Sequence, residues 1–187
     1  TEALITISIS AINDAPILSA IGNREFNEDE GLSIPLGYSD ADGDELSVSV
    51  TSSNNEVSLS LEDSMLSLTS SENYNGAAIV TVVVSEIDGD YQTSESFNVT
   101  INPVNDAPSM VSISNVNTEE ELSTSVALNA TDIDGDTDFT FSANTSSDLF
   151  DVSTLGPTLT VSPLYNQVGT GTINVSVSDG GLSSEVI

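Results

Sequence analysis

The chain carries one basic side chain, Arg24, and no lysine, histidine, cysteine or tryptophan among its 187 residues. Each absence removes a class of function. Nucleic-acid phosphates and anionic bilayers are held by clustered Lys and Arg that displace counterions, so neither is an expected partner. Without cysteine there are no disulfide staples, thiolate metal sites or thiol nucleophiles. Without histidine there is no Ser-His-Asp relay, and lysine, another usual base, is missing too. Two carboxylates suffice for glycoside hydrolysis. With 30 acidic residues, however, some pair always looks suitable, and the chain reads as non-enzymatic. No apolar run approaches the length of a membrane span, so direct membrane insertion is not expected. Residues 1–10 alternate instead of forming a continuous apolar core, unlike a signal peptide. The chain reads as an internal piece of something longer.

What is present is acid and alternation. A formal charge of −29 repels itself, and salt or bound metal must offset that repulsion. Hydrophobic residues make up 37% of the chain, enough for modest cores if they are regularly placed, and they are. ALITISI at 3–9, VTVVV at 80–84, FNVTI at 97–101 and INVSV at 173–177 alternate or run apolar with β-branched residues. Shorter candidate strands are 46–50, 57–61, 65–68, 111–114 and 159–162. Gly, Asn, Asp and Pro punctuate them, and no amphipathic helix is evident.

The pattern occurs twice. INDAP at 12–16 matches VNDAP at 104–108, and SDADGD at 39–44 matches TDIDGD at 131–136, both 92 residues apart. Glu28 aligns with Glu120, Ile34 with Val126 and Leu36 with Leu128 at the same offset. YNG at 74–76 is matched to YNQ at 165–167, and Val82 and Val84 to Val175 and Val177. Roughly seven short strands per copy suggest a Greek-key β-sandwich. The expected fold is all-β, two tandem Greek-key β-sandwiches. Residues 1–16 are read as the last strand and linker of a preceding repeat, 17–105 as one repeat, and 106–187 as a second with a truncated last strand.

The strongest local signal is Asp-x-Asp-Gly-Asp, at Asp40, Asp42 and Asp44 and again at Asp132, Asp134 and Asp136. Two like charges about 5 Å apart cost about 3 kcal/mol at an effective dielectric near 20, and a hard divalent cation reverses that sign. Calcium (Ca2+) accepts six to eight oxygen ligands in irregular geometry. The alternative is a solvated acidic turn, since Asp and Gly are common turn formers. The motif is not an EF-hand loop, which places Gly sixth and Glu twelfth; here Gly is fourth and the twelfth residues are Thr51 and Ala143. The second signal is Asn-Asp-Ala-Pro, Asn13 to Pro16 and Asn105 to Pro108. Pro stiffens the connection, while Asn and Asp put oxygens at the hinge.

The order of acidic motif, Asp-x-Asp, strand-end acid and Asn-Asp-x-Pro linker resembles the cadherin repeat. Its variant looks like the bacterial cadherin-like tandem repeats of large extracellular (RTX-type) surface adhesins. The resemblance covers almost the whole chain and implies two tandem cadherin-like (immunoglobulin-like) Greek-key sandwiches. It implies calcium at each junction, with ligands from both neighbours. The upstream repeat would give Glu28 and Glu72, and the linker Asn102, Asn105 and Asp106. The downstream repeat would give Asp132, Asp134 and Asp179, with Asp136 either a ligand or a turn residue. A preceding junction would use Asn13, Asp14, Asp40, Asp42 and Glu86, with Asp44 in the place of Asp136. SSEN at 70–73 keeps only the Glu of the family's Leu-Asp-Arg-Glu element. Asp88 and Asp90 read as turn residues.

The implied function is a calcium-stiffened structural spacer on a cell surface, mediating or supporting adhesion, with neighbouring repeats of the same chain as partners. The alternative is a calcium-dependent carbohydrate- or protein-binding module, with a homophilic, protein or polysaccharide ligand. Tyr38, Tyr74, Tyr91 and Tyr165 are scattered, and Tyr74 and Tyr165 are expected to pack in the core or at a corner. Residues 3–9 are further expected to complete the shortened second repeat of another molecule.

Overall fold

Residues 3–186 are described in a computed structural model. Thr1, Glu2 and Ile187, at the ends of the expected domain boundaries, lie outside the described residues. The chain is all-β and forms two compact units divided between Val104 and Asn105.

The first unit is organised around the longest apolar alternation in the sequence. Its strands are β1 (Ile17–Leu18), β2 (Arg24–Asn27), β3 (Gly31–Pro35), β4 (Tyr38–Ser39), β5 (Leu46–Ser52), β6 (Val57–Glu62), β7 (Met65–Ser70), β8 (Gly76–Glu86) and β9 (Gln92–Asn102). One sheet has the order β2-β9-β8-β5 and the facing one β3-β7-β6, while β1 pairs with β4. All pairs are antiparallel except β2 with β9, which run parallel from Arg24↔Val99 to Asn27↔Asn102. Successive strand side chains point to opposite faces. In β8 this buries Ala78, Val80, Val82 and Val84, and in β9 Phe97, Val99 and Ile101. They meet Leu66 and Leu68 of β7 in the core.

The same two-residue period carries charge to the ends of the sandwich. The inward row of β8 ends on Glu86, and that of β2 runs from Phe26 to Glu28; both glutamates are buried. They lie at opposite poles. Glu86 closes β8 beside the start of β9, where Ser85 pairs with Gln92, whereas the Glu28 amide donates to the Asn102 carbonyl at the end of β9 (2.9 Å).

The second unit repeats this plan on a smaller scale. Its strands are β10 (Ser109–Met110), β11 (Thr124–Ala127), β12 (Ala130–Thr131), β13 (Thr140–Asn144), β14 (Phe150–Leu155), β15 (Thr158–Pro163), β16 (Asn174–Ser178) and β17 (Ser183–Val186). Sheets β13-β16-β17 and β11-β15-β14 face each other, with β10 paired to β12. Leu128, Leu159, Val161, Val175 and Val177 are buried. Asp179 follows Val175 and Val177 in the inward phase, as Glu86 follows Val84.

Residues 3–9, read as the last strand of a preceding repeat, are exposed and pair with no strand among the described residues. Two expectations need correction. Of 111–114, none is in a strand; pairing stops at Met110, and Val111 instead donates to the Asn129 carbonyl. The pairing of Tyr74 with Tyr165 also fails. Asn73 and Asn166 are the matching left-handed residues (φ 54° and 53°), so Tyr74 corresponds to Gln167. Tyr74 packs on the core and accepts a hydrogen bond from Asn54 Nδ2 (2.6 Å), while Tyr165 is exposed.

Candidate metal centres

The Asp-x-Asp-Gly-Asp segment is a turn wound around its own first carboxylate. Asp40 Oδ1 accepts the main-chain N–H groups of Asp42, Gly43 and Asp44 at 2.8, 3.1 and 3.3 Å. Gly43 sits at φ 82° and Gly135 at φ 88°, a conformation that favours glycine because it has no Cβ. This reversal brings the last Asp back towards the first. One carboxylate oxygen each from Asp40, Asp44 and Glu86 then lie within 4.8 Å of one another. Asp132, Asp136 and Asp179 form the same constellation in the second unit, within the same limit, and there Asp134 N donates to Asp132 Oδ1 at 2.8 Å.

The linker preceding each sandwich is tied to the same pole. Asn13 Nδ2 donates to both Glu86 oxygens at 3.0 and 3.1 Å, and Asp14 N to Asp42 Oδ2 at 2.8 Å. Asn105 Nδ2 donates to Asp179 Oδ2 at 2.8 Å, and Asp106 N to Asp134 Oδ2 at 2.7 Å. Asp179 Oδ1 also accepts from Gly181 and Leu182 N–H at 2.6 and 2.7 Å. The Asn105 amide, followed by these two main-chain donors, holds the Asp179 carboxyl below the usual carboxylate value, since hydrogen bonds to the charged form favour it.

The expected ligands therefore divide into groups. Asp40, Asp44, Glu86, Asp132, Asp136 and Asp179 gather as two threes. Asp42 and Asp134 turn away to hold the linker backbone. Glu28, only 1% exposed, accepts from Val104 N at 2.7 Å through Oε1. Asn102 serves through its main-chain oxygen, and Glu72 is exposed and outside both groups. Two residues not expected at a site line the cleft beside Glu86: Glu45 and Asp88, with Gly89 against the Glu86 carboxylate. The spacing Glu86-Ile87-Asp88, one acid at the strand end and one just beyond, was the signal for the latter.

The donor set suits a hard cation. It is all oxygen, and two oxygens of one calcium sphere, each 2.3–2.6 Å from the ion, lie at most about 5 Å apart. Asp40 Oδ2 and Asp132 Oδ2 are buried without a hydrogen-bond partner, at corresponding places in the two units, and so is Glu28 Oε2. A buried, unsatisfied acceptor costs about 1–3 kcal/mol, more when charged, and a cation offsets that cost.

Two sandwiches with matching carboxylate clusters at one pole define a tandem of immunoglobulin-like repeats. The chain belongs to the bacterial Ig domain family, whose profile matches residues 13–102 and again 105–187. No curated protein matches the chain. Among solved structures it is similar to human protocadherin-24 EC1-2, with 18% identity, 94% of each chain covered and a TM-score of 0.53. It is also similar to Drosophila N-cadherin EC1-4, with 15% identity, 92% of this chain and 48% of that one covered, and a TM-score of 0.54. An endo-fucoidan hydrolase of glycoside hydrolase family 107 matches at 17% identity and a TM-score of 0.41. That match covers 91% of this chain and 27% of the hydrolase. The chain thus spans less than half the length of the longer proteins it resembles. At these identities the likeness is one of fold, and the fold is typically non-catalytic. Domains of this kind are usually extracellular. Among the described residues, no helix is long and apolar enough to cross a membrane.

Proposed function

We propose that the chain is a calcium-binding structural repeat of a large surface adhesin, stiffened by calcium at its linkers. The observation that carries this reading is the recurrence of one feature in two units: a buried, partnerless carboxylate oxygen, on Asp40 and on Asp132, within a three-carboxylate cluster. Coordination by Asp40, Asp44 and Glu86, or by Asp132, Asp136 and Asp179, neutralises like charges and leaves each turn closed. It also fixes the linker, because Asn13 and Asn105 are bonded to the same carboxylates. Glu28, through Val104, holds the outgoing chain of the first unit. The segment between the sandwiches is thus anchored on each side by the unit it touches.

The test is calorimetric titration of the metal-free chain with calcium, paired with NMR relaxation. Binding is expected at both clusters, and the single changes Asp40→Asn and Asp132→Asn each remove one of them. At a hundredfold excess over Kd each occupied cluster stabilises its folded unit by about 2.7 kcal/mol, and the two units come to tumble with a common correlation time. Calcium that leaves heat, melting temperature and tumbling unchanged would overturn the proposal.

A further inference from the structure

The sheet β2-β9-β8-β5 ends on β5, whose seven residues have a strand partner on one side only. A free edge invites further pairing, and proteins blunt it with charge, proline or a bulge. Among the other edges, β2 carries Arg24 and Glu25, β3 ends on Pro35, β6 ends on Glu62 and β14 carries Asp151. The uncharged edges β11 and β13 are shorter, with four and five residues. β5, Leu-Ser-Val-Ser-Val-Thr-Ser, has neither charge nor proline. Its register with β8 runs without a bulge from Leu46↔Glu86 to Ser52↔Val80.

The ladder shows which main-chain groups of β5 face outward. Ser53 N donates to the Ile79 carbonyl and Ile87 N to the Glu45 carbonyl, both at 2.9 Å. Hydrogen-bonded and non-hydrogen-bonded pairs alternate in an antiparallel ladder, so the odd-numbered residues from 45 to 53 bond to β8. Leu46, Val48, Val50 and Ser52 therefore direct their N–H and C=O groups to the open edge. The side chains of Val48 and Val50 pack against the core yet are only partly buried, whereas Val80, Val82 and Val84 of β8 are fully buried. Ser47, Ser49 and Thr51 are exposed on the outer face.

We propose that β5 pairs antiparallel with β5 of a second copy, about a two-fold axis at Ser49. Leu46 then lies opposite Ser52 and Val48 opposite Val50, and each such pair exchanges both main-chain hydrogen bonds. Ser49 faces its own counterpart. This register uses the whole strand and gives every outward donor an acceptor. It also sets valine against valine on the inner face and hydroxyl against hydroxyl on the outer one. Charge selects the same arrangement. Asp44 and Glu45 precede β5, while Ser53 and Asn54 follow it. Antiparallel pairing lays Asp44 and Glu45 beside the neutral Asn54 and Ser53 of the second copy, whereas parallel in-register pairing would lay Glu45 on Glu45. Both copies offer the same surface, so the contact is isologous and closes as a dimer, with one continuous sheet through both first units. Seven residues span about 24 Å, a short contact between two acidic molecules. The dimer is therefore weak, and it strengthens as salt screens the surrounding charge.

The chain has no cysteine, so an introduced one reports the contact alone. Residues facing each other in a non-hydrogen-bonded pair have Cα atoms about 4.5 Å apart, within disulfide reach. On mild oxidation of the whole chain, S49C should cross-link roughly tenfold faster than S60C, which is exposed on β6 of the facing sheet. S47C, which meets Thr51 and not itself, should lag as well. Sedimentation equilibrium in high salt should show a dimer that grows with concentration. S49D opposes two carboxylates across the axis and should abolish that dimer, while S60D, of equal net charge, should leave it intact. Cross-linking of S49C no faster than of S60C, a monomer at every concentration, or S60D as disruptive as S49D would each overturn the proposal.

Discussion

Asp134 lies between Asp132 and Asp136 in sequence, yet its carboxylate accepts the Asp106 N–H instead of joining them. Asp134→Ala is therefore expected to loosen the linker and to weaken calcium by roughly tenfold, the effect of removing a supporting hydrogen bond. Asp136→Ala, which removes a carboxylate of the cluster itself, should weaken it more. Titration calorimetry and relaxation of Asp106 separate the two, and both variants should keep their sandwich cores. The first unit has Glu45 and Asp88 beside its cluster, so E45Q/D88N should lower affinity at that cluster alone. Asp179 makes a separate prediction in metal-free buffer. Its folded-state carboxyl titrates below the usual value, so its contribution to stability is complete above the unfolded pKa and disappears as pH falls through the folded one. The melting-temperature gap between the native chain and Asp179→Asn should be constant near neutral pH, narrow below about pH 5 and close in stronger acid.

At the scale of elements, the two sandwiches differ in how many apolar side chains they bury among the described residues. The second core is correspondingly smaller. Calorimetry in chelator should resolve two transitions, the lower from the second unit. Leu66→Ala, at a fully buried site in β7, should cost about 2–5 kcal/mol and move only the upper one. These elements were unequally legible. β5, β6, β7, β8 and β15 could be read because β-branched and apolar residues alternate along them. β2 and β13 escaped because REFN and TFSAN owe their pairing to partners distant in sequence, a signal that composition lacks. Of the two threes of carboxylates, Asp40, Glu86, Asp132 and Asp179 were named from the sequence outright, Asp44 and Asp136 only as ligand or turn residue, and the division of labour was not legible. Nothing in Asp-x-Asp-Gly-Asp says that the middle Asp faces the linker; that follows from where the turn leaves the Asp14 and Asp106 amides. The partnerless oxygen of Glu28 depends on burial at the end of β2, which the sequence marks only by the phase of Phe26 and Glu28.

For the whole molecule, repulsion between like charges adds to the conformational entropy that opposes folding. A chain of −29 with a single cationic side chain folds only against its own field. In chelator its melting temperature should climb with sodium chloride, because exposed charges are screened within about 10 Å at 0.1 M. With calcium bound the same salt series should be flatter, since the densest clusters are already neutralised. A flat series in chelator would mean that repulsion is not what calcium relieves. The parallel pairing of β2 with β9 has a mechanical meaning as well. These strands lie near the entry and exit of the first unit and run side by side in the same direction. Tension applied to the two ends drags them past each other, so the hydrogen bonds between Arg24–Asn27 and Val99–Asn102 carry the load together and must yield together. A hairpin pulled from its open end would instead lose them one at a time. The first unit is thus wired to bear a pull along its length.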